Sequence, residues 1–180
     1  MHMKRHSKIA SALGAIVFSL MSPASAQQQV AAVPNGPSSL REAYQDWSVA
    51  CSVQEKAKIC SLSQDQVQQN GQRLLAVEVQ RHPDGSATAT LLLPFGILLD
   101  SGVTLQIDDK PPFSQLRFRT CLPTGCVAVF TIDPLTLGKM REGTVLKLNV
   151  TTAAETQLTF PVSLRGLAAA LDRVAALSAH

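Results

Sequence analysis

From Asp46 onward the chain breaks into short runs rich in β-branched and apolar residues, each closed by Gly, Pro, Asn, Asp or Ser. That punctuation points to a fold made of strands and leaves little room for helix. The runs fall at 47–51, 59–63, 73–81, 87–93, 103–108, 116–121, 126–132, 145–151 and 157–162. Short strands at this spacing suit an all-β sandwich or barrel.

Turn chemistry supports the same division. His82-Pro83-Asp84-Gly85 combines a preset proline backbone, an aspartate that tolerates the turn and a glycine that permits positive φ, so the runs on either side should pair as a hairpin. Leu116, Phe118 and Thr120 alternate with Gln115, Arg117 and Arg119, and Leu146, Leu148 and Val150 alternate with Lys147 and Asn149, although Val145 departs from that second pattern. Strands of this kind have one wet face. Asp133-Pro134 matches an N-cap followed by proline at the first helical position, so 134–141 is expected as a helical turn or two closed by Gly143. A longer helix is expected over 163–177, where Leu164, Leu167, Ala168, Leu171, Val174 and Ala175 recur at helical spacing. Its polar side carries only Arg165 and Arg173 as cations, which suits a helix covering a sheet better than one lying on a membrane.

The N-terminus carries a different signal. Lys4, Arg5 and Lys8 precede an uncharged, largely apolar run over 9–21, and the small residues Ala24-Ser25-Ala26 follow. This is the pattern of a cleavable secretory signal over 1–26, with Gln27 as the expected mature start. The apolar run falls short of the roughly 20 residues needed to span a bilayer, so no transmembrane segment is expected after cleavage. A lipoprotein would carry a cysteine just after the cut, whereas the first is Cys51. The polar, Pro- and Gly-containing stretch 27–42 reads as a flexible leader, and 43–180 as one domain.

Cleavage also changes the charge. Three of the 16 basic residues lie within 1–26 and all 13 acidic residues lie after it, so the mature chain carries 13 of each. A neutral chain has no electrostatic footprint for nucleic acid, and an anionic membrane is equally disfavoured as a partner.

An exported chain meets an oxidising compartment, and an even number of cysteines there implies disulfides. Four cysteines allow three pairings. Cys121 and Cys126 flank Leu122-Pro123-Thr124-Gly125 and should face each other across a tight hairpin, within disulfide reach. Cys51 ends one run and Cys60 lies in the next, which suggests a second local staple. Each small loop would be stabilised by roughly 2 to 3 kcal/mol. A four-cysteine zinc site is disfavoured because eight residues separate Cys51 from Cys60, and neither spacing is the Cys-x-x-Cys of thiol oxidoreductases.

Catalytic constellations are not apparent. After cleavage the histidines are His82, in a turn, and His180, the last residue, so neither is placed as a general base. Asp108-Asp109 precedes Lys110-Pro111-Pro112 and reads as a solvated turn. Gly96 and Gly102 read as turn and bulge residues, and no phosphate-binding glycine loop occurs. No catalytic residue, metal ligand or cofactor is expected.

Several of these elements together resemble the invasion-associated locus B family of Gram-negative bacteria. They are Trp47-x-x-x-Cys51, Cys60, Leu93-Pro94-Phe95-Gly96 with Leu99 and Gly102, Cys121-x-x-x-Gly125-Cys126, and Ser163-Leu164-Arg165-Gly166-Leu167 running into Ala168-Ala169-Ala170. The resemblance implies an immunoglobulin-like β-sandwich with a C-terminal helix, a periplasmic or secreted location, and a family named for host-cell invasion. It brings no catalytic residues. The expected role is a binding or structural module of the bacterial envelope whose partner is an envelope or host protein. A virulence factor promoting host-cell invasion is the narrower form of that role. An envelope enzyme would instead gather carboxylates from distant strands into a pocket, and an outer-membrane barrel would need strands alternating over about nine to eleven residues. The surface patch to examine is Arg117 and Arg119, expected on one face of one strand. Their plainer role would be to keep that face soluble.

Overall fold

The structure, a computed structural model, describes residues 39–54 and 57–178. The expected signal segment 1–26, residues 27–38 of the expected leader and His180 lie outside the described residues.

In chain order the elements are β1 (Ser39–Tyr44), β2 (Trp47–Gln54), β3 (Ala57–Val67), β4 (Arg73–Arg81), β5 (Ala87–Leu93), β6 (Val103–Ile107), β7 (Ser114–Leu116), β8 (Phe118–Leu122), β9 (Gly125–Ile132), α1 (Pro134–Glu142), β10 (Val145–Thr151), β11 (Gln157–Ser163) and α2 (Leu167–Ser178). They build a seven-stranded sheet, ordered β1-β2-β3-β4-β5-β9-β8, and a four-stranded sheet, ordered β11-β10-β6-β7. All strand pairs are antiparallel. The chain is thus a β-sandwich with a C-terminal helix.

Period-two burial explains the strands. In β5, Ala87, Ala89, Leu91 and Leu93 are buried while Thr88, Thr90 and Leu92 face outward, and β10 buries Leu146, Leu148 and Val150. Val145, which departs from the sequence pattern, is half-buried in the phase of Lys147. The inward residues of both sheets join one apolar core with Trp47, which is only 1% exposed. Helix α2 packs against β2 and β3 and buries Leu167, Ala170, Leu171, Val174 and Leu177, so it covers sheet surface, as its spacing predicts. Helix α1 starts where Asp133 Oδ1 accepts from the backbone N–H groups of Leu135 and Thr136, both at 2.9 Å. That cap satisfies two otherwise unpartnered donors and holds the Asp133 carboxyl below its ordinary range, with the Thr136 hydroxyl the largest cause.

Three expectations are corrected. The stretch 27–42 is not leader to its end, because residues 39–42 lie in β1, which extends the folded body ahead of residue 43. Ser-Leu-Arg-Glu-Ala-Tyr has no apolar run to mark it as a strand. Its order comes from register with β2, from Ser39 opposite Ser52 to Tyr44 opposite Trp47. The run 116–121 is not one strand: Leu116 ends β7 in the small sheet and Phe118 begins β8 in the large one, so the chain changes sheets at Arg117. The C-terminal helix begins at Leu167 and not at Ser163, because Ser163 completes β11 opposite Val145. Between them Gly166 turns at φ +87°, and a Cβ there would run into the Tyr44 carbonyl oxygen.

Buried polar groups tie this corner together. Gln64, the one buried polar side chain among the described residues, donates from Nε2 to Ser163 O at 2.9 Å and accepts from Ser163 N at 3.1 Å. Trp47 Nε1 donates to the same carbonyl at 2.9 Å. The residue that separates β11 from the turn into α2 is thereby fixed by three bonds.

Candidate functional site

The change of sheets at Arg117 creates the most distinctive surface. Gly102, at φ +65°, lets the chain entering β6 pass so close to β7 that a Cβ would collide with Leu116 O. Beyond it, Phe118 pairs with Ala128 and Thr120 with Val127, which leaves Arg119 as the extra residue of a bulge. Bulges redirect side chains at sheet edges. Arg117 and Arg119 are both exposed, but a crossover and a bulge bring them together and not the alternation of a single strand. They line an open groove of about 520 Å³ with Leu99, Asp100, Phe118, Thr120 and Cys121.

These two guanidinium groups are uncommitted. Arg73, Arg141 and Arg173 each hold a carboxylate at 2.7 to 3.0 Å, whereas neither Arg117 nor Arg119 has an ion-pair partner within 4.0 Å among the described residues. Asp100 is the single carboxylate in the groove lining, and Leu99, 46% exposed, adds an apolar contact. Arginine beside exposed apolar surface is the composition of protein-binding patches.

The cysteine pairs lie apart in the large sheet, one across β2 and β3 inside the β1 edge and the other across β9 and the edge strand β8. Cys51 and Cys60 face each other across β2 and β3, with Cα atoms 4.0 Å apart and sulfurs at bonding distance, 2.08 Å. Cys121 and Cys126 face each other across β8 and β9 with Cα atoms 3.9 Å apart and sulfurs at 1.92 Å. Cys51, Cys60 and Cys126 are buried, whereas Cys121, on the edge strand, is exposed and borders the arginine groove.

The remaining candidates have structural partners. His82 Nε2 shares a hydrogen bond with Thr88 Oγ1 at 2.8 Å across the β4–β5 hairpin. Asp108, at φ +50°, accepts at Oδ1 from the N–H groups of Thr144 and Val145, at 3.0 and 2.9 Å, which anchors the start of β10. Asp109 pairs with Lys147 Nζ at 2.7 Å, and that ammonium holds its carboxyl below the ordinary range. The adjacent aspartates therefore serve one strand, β10, Asp108 through its backbone and Asp109 through a side chain. Among the described residues no group of three or more His, Cys, Asp or Glu is placed to hold a metal ion, and no helix is long and apolar enough to cross a membrane.

Two further surfaces escaped sequence reasoning. On the outer face of the large sheet, Ala50, Ser61, Ser63 and Ala76 form a shallow floor edged by Arg41 and Arg73. Near the start of α1, Phe113 and Pro111 line a smaller apolar pocket with Lys110 and Lys139. Neither is contiguous in sequence, so no motif reveals them.

The family profile described as "Invasion associated locus B (IalB) protein" matches residues 47–175. An invasion protein B homolog of Brucella abortus (strain 2308) is 39% identical over 165 residues, covering 91% of this chain and 95% of the relative. Invasion protein B of Bartonella bacilliformis is 37% identical over 158 residues, 86% of this chain and 85% of its own length. The crystal structure of invasion associated protein b from Bartonella henselae superposes with a TM-score of 0.74 at 34% identity, covering 78% of this chain and 97% of that one. A profile spanning most of the chain, relatives near 40% identity and a shared fold agree, and the chain belongs to the invasion-associated locus B family.

Proposed function

We propose that this protein is an exported, non-catalytic binding or structural protein of the bacterial envelope, in the periplasm or secreted, that works by presenting a surface to a protein partner. The observation that carries the reading is the groove holding Arg117 and Arg119. Two guanidinium groups with no ion-pair partner among the described residues stand beside Leu99 and Phe118, ready to pair with an acidic partner. Export is supported by the N-terminal pattern over 1–26 and by the paired cysteines, which persist in oxidising compartments. The relatives' names support a narrower form, in which the partner belongs to a host cell and the protein promotes invasion.

The test is replacement of Arg117 and Arg119 together by Ser. Both side chains are exposed, so stability should change by less than about 0.5 kcal/mol. Cross-linking in intact envelopes should capture a partner with the parent protein and lose it with the double variant, and capture should weaken as salt rises. Unchanged capture removes this groove as the docking surface. A hydrolytic or transfer activity that survives purification to homogeneity overturns the non-catalytic reading.

A further inference from the structure

The two cysteine pairs differ in a way that bears on chemistry. Both sulfurs of the Cys51–Cys60 pair belong to buried residues in the phase of Trp47, Val49 and Leu62, so a reagent reaches neither without opening the sheet. The Cys121–Cys126 pair is asymmetric. Cys126 is 4% exposed and sits opposite Leu93 in β9, while Cys121 lies on edge strand β8 and lines the groove shared with Arg117 and Arg119. Disulfide exchange needs an accessible sulfur and is favoured where nearby cations stabilise the attacking thiolate. Here Cys121 is exposed at the groove, and two guanidinium groups with no ion-pair partner among the described residues stand in it beside a single carboxylate, Asp100.

We infer that Cys121 is a thiol-exchange site, selective for anionic thiols of the glutathione class, and that the Cys51–Cys60 bridge is inert under the same conditions. The step balances without a further reagent. The incoming thiolate forms a bond to Cys121 Sγ as the Cys121–Cys126 bond breaks, and the electron pair of the broken bond leaves with Cys126 Sγ, which takes a proton from water. The product is a mixed disulfide at Cys121 and a free thiol at Cys126. Cys121 and Cys126 remain paired across β8 and β9, so Cys126 gives its proton back to water and returns by attacking Cys121 Sγ, expelling the small thiol as its thiolate. The site therefore opens and recloses without loss of the fold's other staple. The arginines act by attraction: two cations against the single carboxylate of Asp100 leave the groove lining net positive, which concentrates an anion at its mouth. This inference goes beyond docking: the cross-linking test reads a captured partner and this one reads sulfur chemistry, so either can fail alone.

The experiment treats the oxidised full chain with glutathione, whose thiolate is net negative, or cysteamine, whose thiolate is net neutral, at matched thiolate concentration, with iodoacetamide added at timed points to stop the reaction and trap released thiols. Peptide mapping should find the glutathione adduct on Cys121, the alkyl group on Cys126, and Cys51 still joined to Cys60. The ratio of opening rates, glutathione over cysteamine, should fall about threefold or more in Arg117→Ser/Arg119→Ser and be retained in Arg117→Lys/Arg119→Lys, since long-range attraction needs charge and not guanidinium geometry. An adduct on Cys126, equal opening of the two bridges, or the same ratio in the serine and parent proteins would overturn the proposal.

Discussion

Arg173 of α2 grips Glu42 of β1 with both ends of its guanidinium, Nε to Oε2 at 2.8 Å and Nη2 to Oε1 at 2.7 Å. The two residues are 131 positions apart, and the pair fastens the first strand of the fold to its last helix. Tyr44 adds a hydroxyl donor to Glu42 Oε2 at 2.7 Å.

This pair makes stability depend on acid. The Arg173 hydrogen bond, followed by that from Tyr44, lowers the Glu42 carboxyl from its ordinary 4.5 to about 2. An acid depressed in the folded state contributes fully above its unfolded pKa and loses that contribution as pH falls through the folded one. The window is therefore pH 4.5 down to about 2. Glu42→Gln should lower the urea midpoint at pH 7, read by the emission of Trp47, and the gap to the parent should shrink as pH falls through that window. A gap independent of pH would mean that the carboxylate charge is not what holds the strand.

Leu167 and Leu171 are buried by α2 against the sheet, at 0% and 1% exposure. Changing either to Ala removes apolar contacts from a closed interior and should cost about 2 to 5 kcal/mol in denaturant unfolding. Full stability combined with lost partner attachment would make α2 an interface helix.

Gln64→Leu removes the side chain that both donates to and accepts from the backbone of Ser163. The Ser163 N–H would be left without that partner, and the expected cost is about 1 to 3 kcal/mol. Hydrogen exchange should localise the loss, with the Ser163 amide exchanging faster while amides in β5 and β9 keep their protection.

Non-reducing peptide mapping of the purified protein should yield one cross-linked peptide joining Cys51 to Cys60 and a second joining Cys121 to Cys126, as the registers across β2–β3 and β8–β9 require. A dominant species joining the Cys51 region to the Cys121 region would contradict the fold's register.

What the sequence determined by itself was local. Strands β4, β5 and β10 match the sequence reading at both ends, because alternation and turn residues are written within a few positions of one another. The Asp133 cap, Pro134 and Gly143 likewise delimit α1 without outside help. The cysteines that flank a turn could be matched for the same reason. Even Arg117 and Arg119 could be singled out, but only as charged residues on a wet face.

Tertiary structure decided the rest, because those features depend on partners far away in sequence. β1 exists through its pairing with β2 and the grip of Arg173, neither visible in Ser-Leu-Arg-Glu-Ala-Tyr. Ser163 ends a strand and does not start a helix, because Gln64 and Trp47 hold its carbonyl from the other sheet. The split at Arg117 is enforced where Gly102 crowds Leu116, and that split turns two spaced arginines into one groove beside Cys121. Periodicity reports which face of a strand is wet, whereas the choice of sheet is made by packing between strands the chain has yet to bring together.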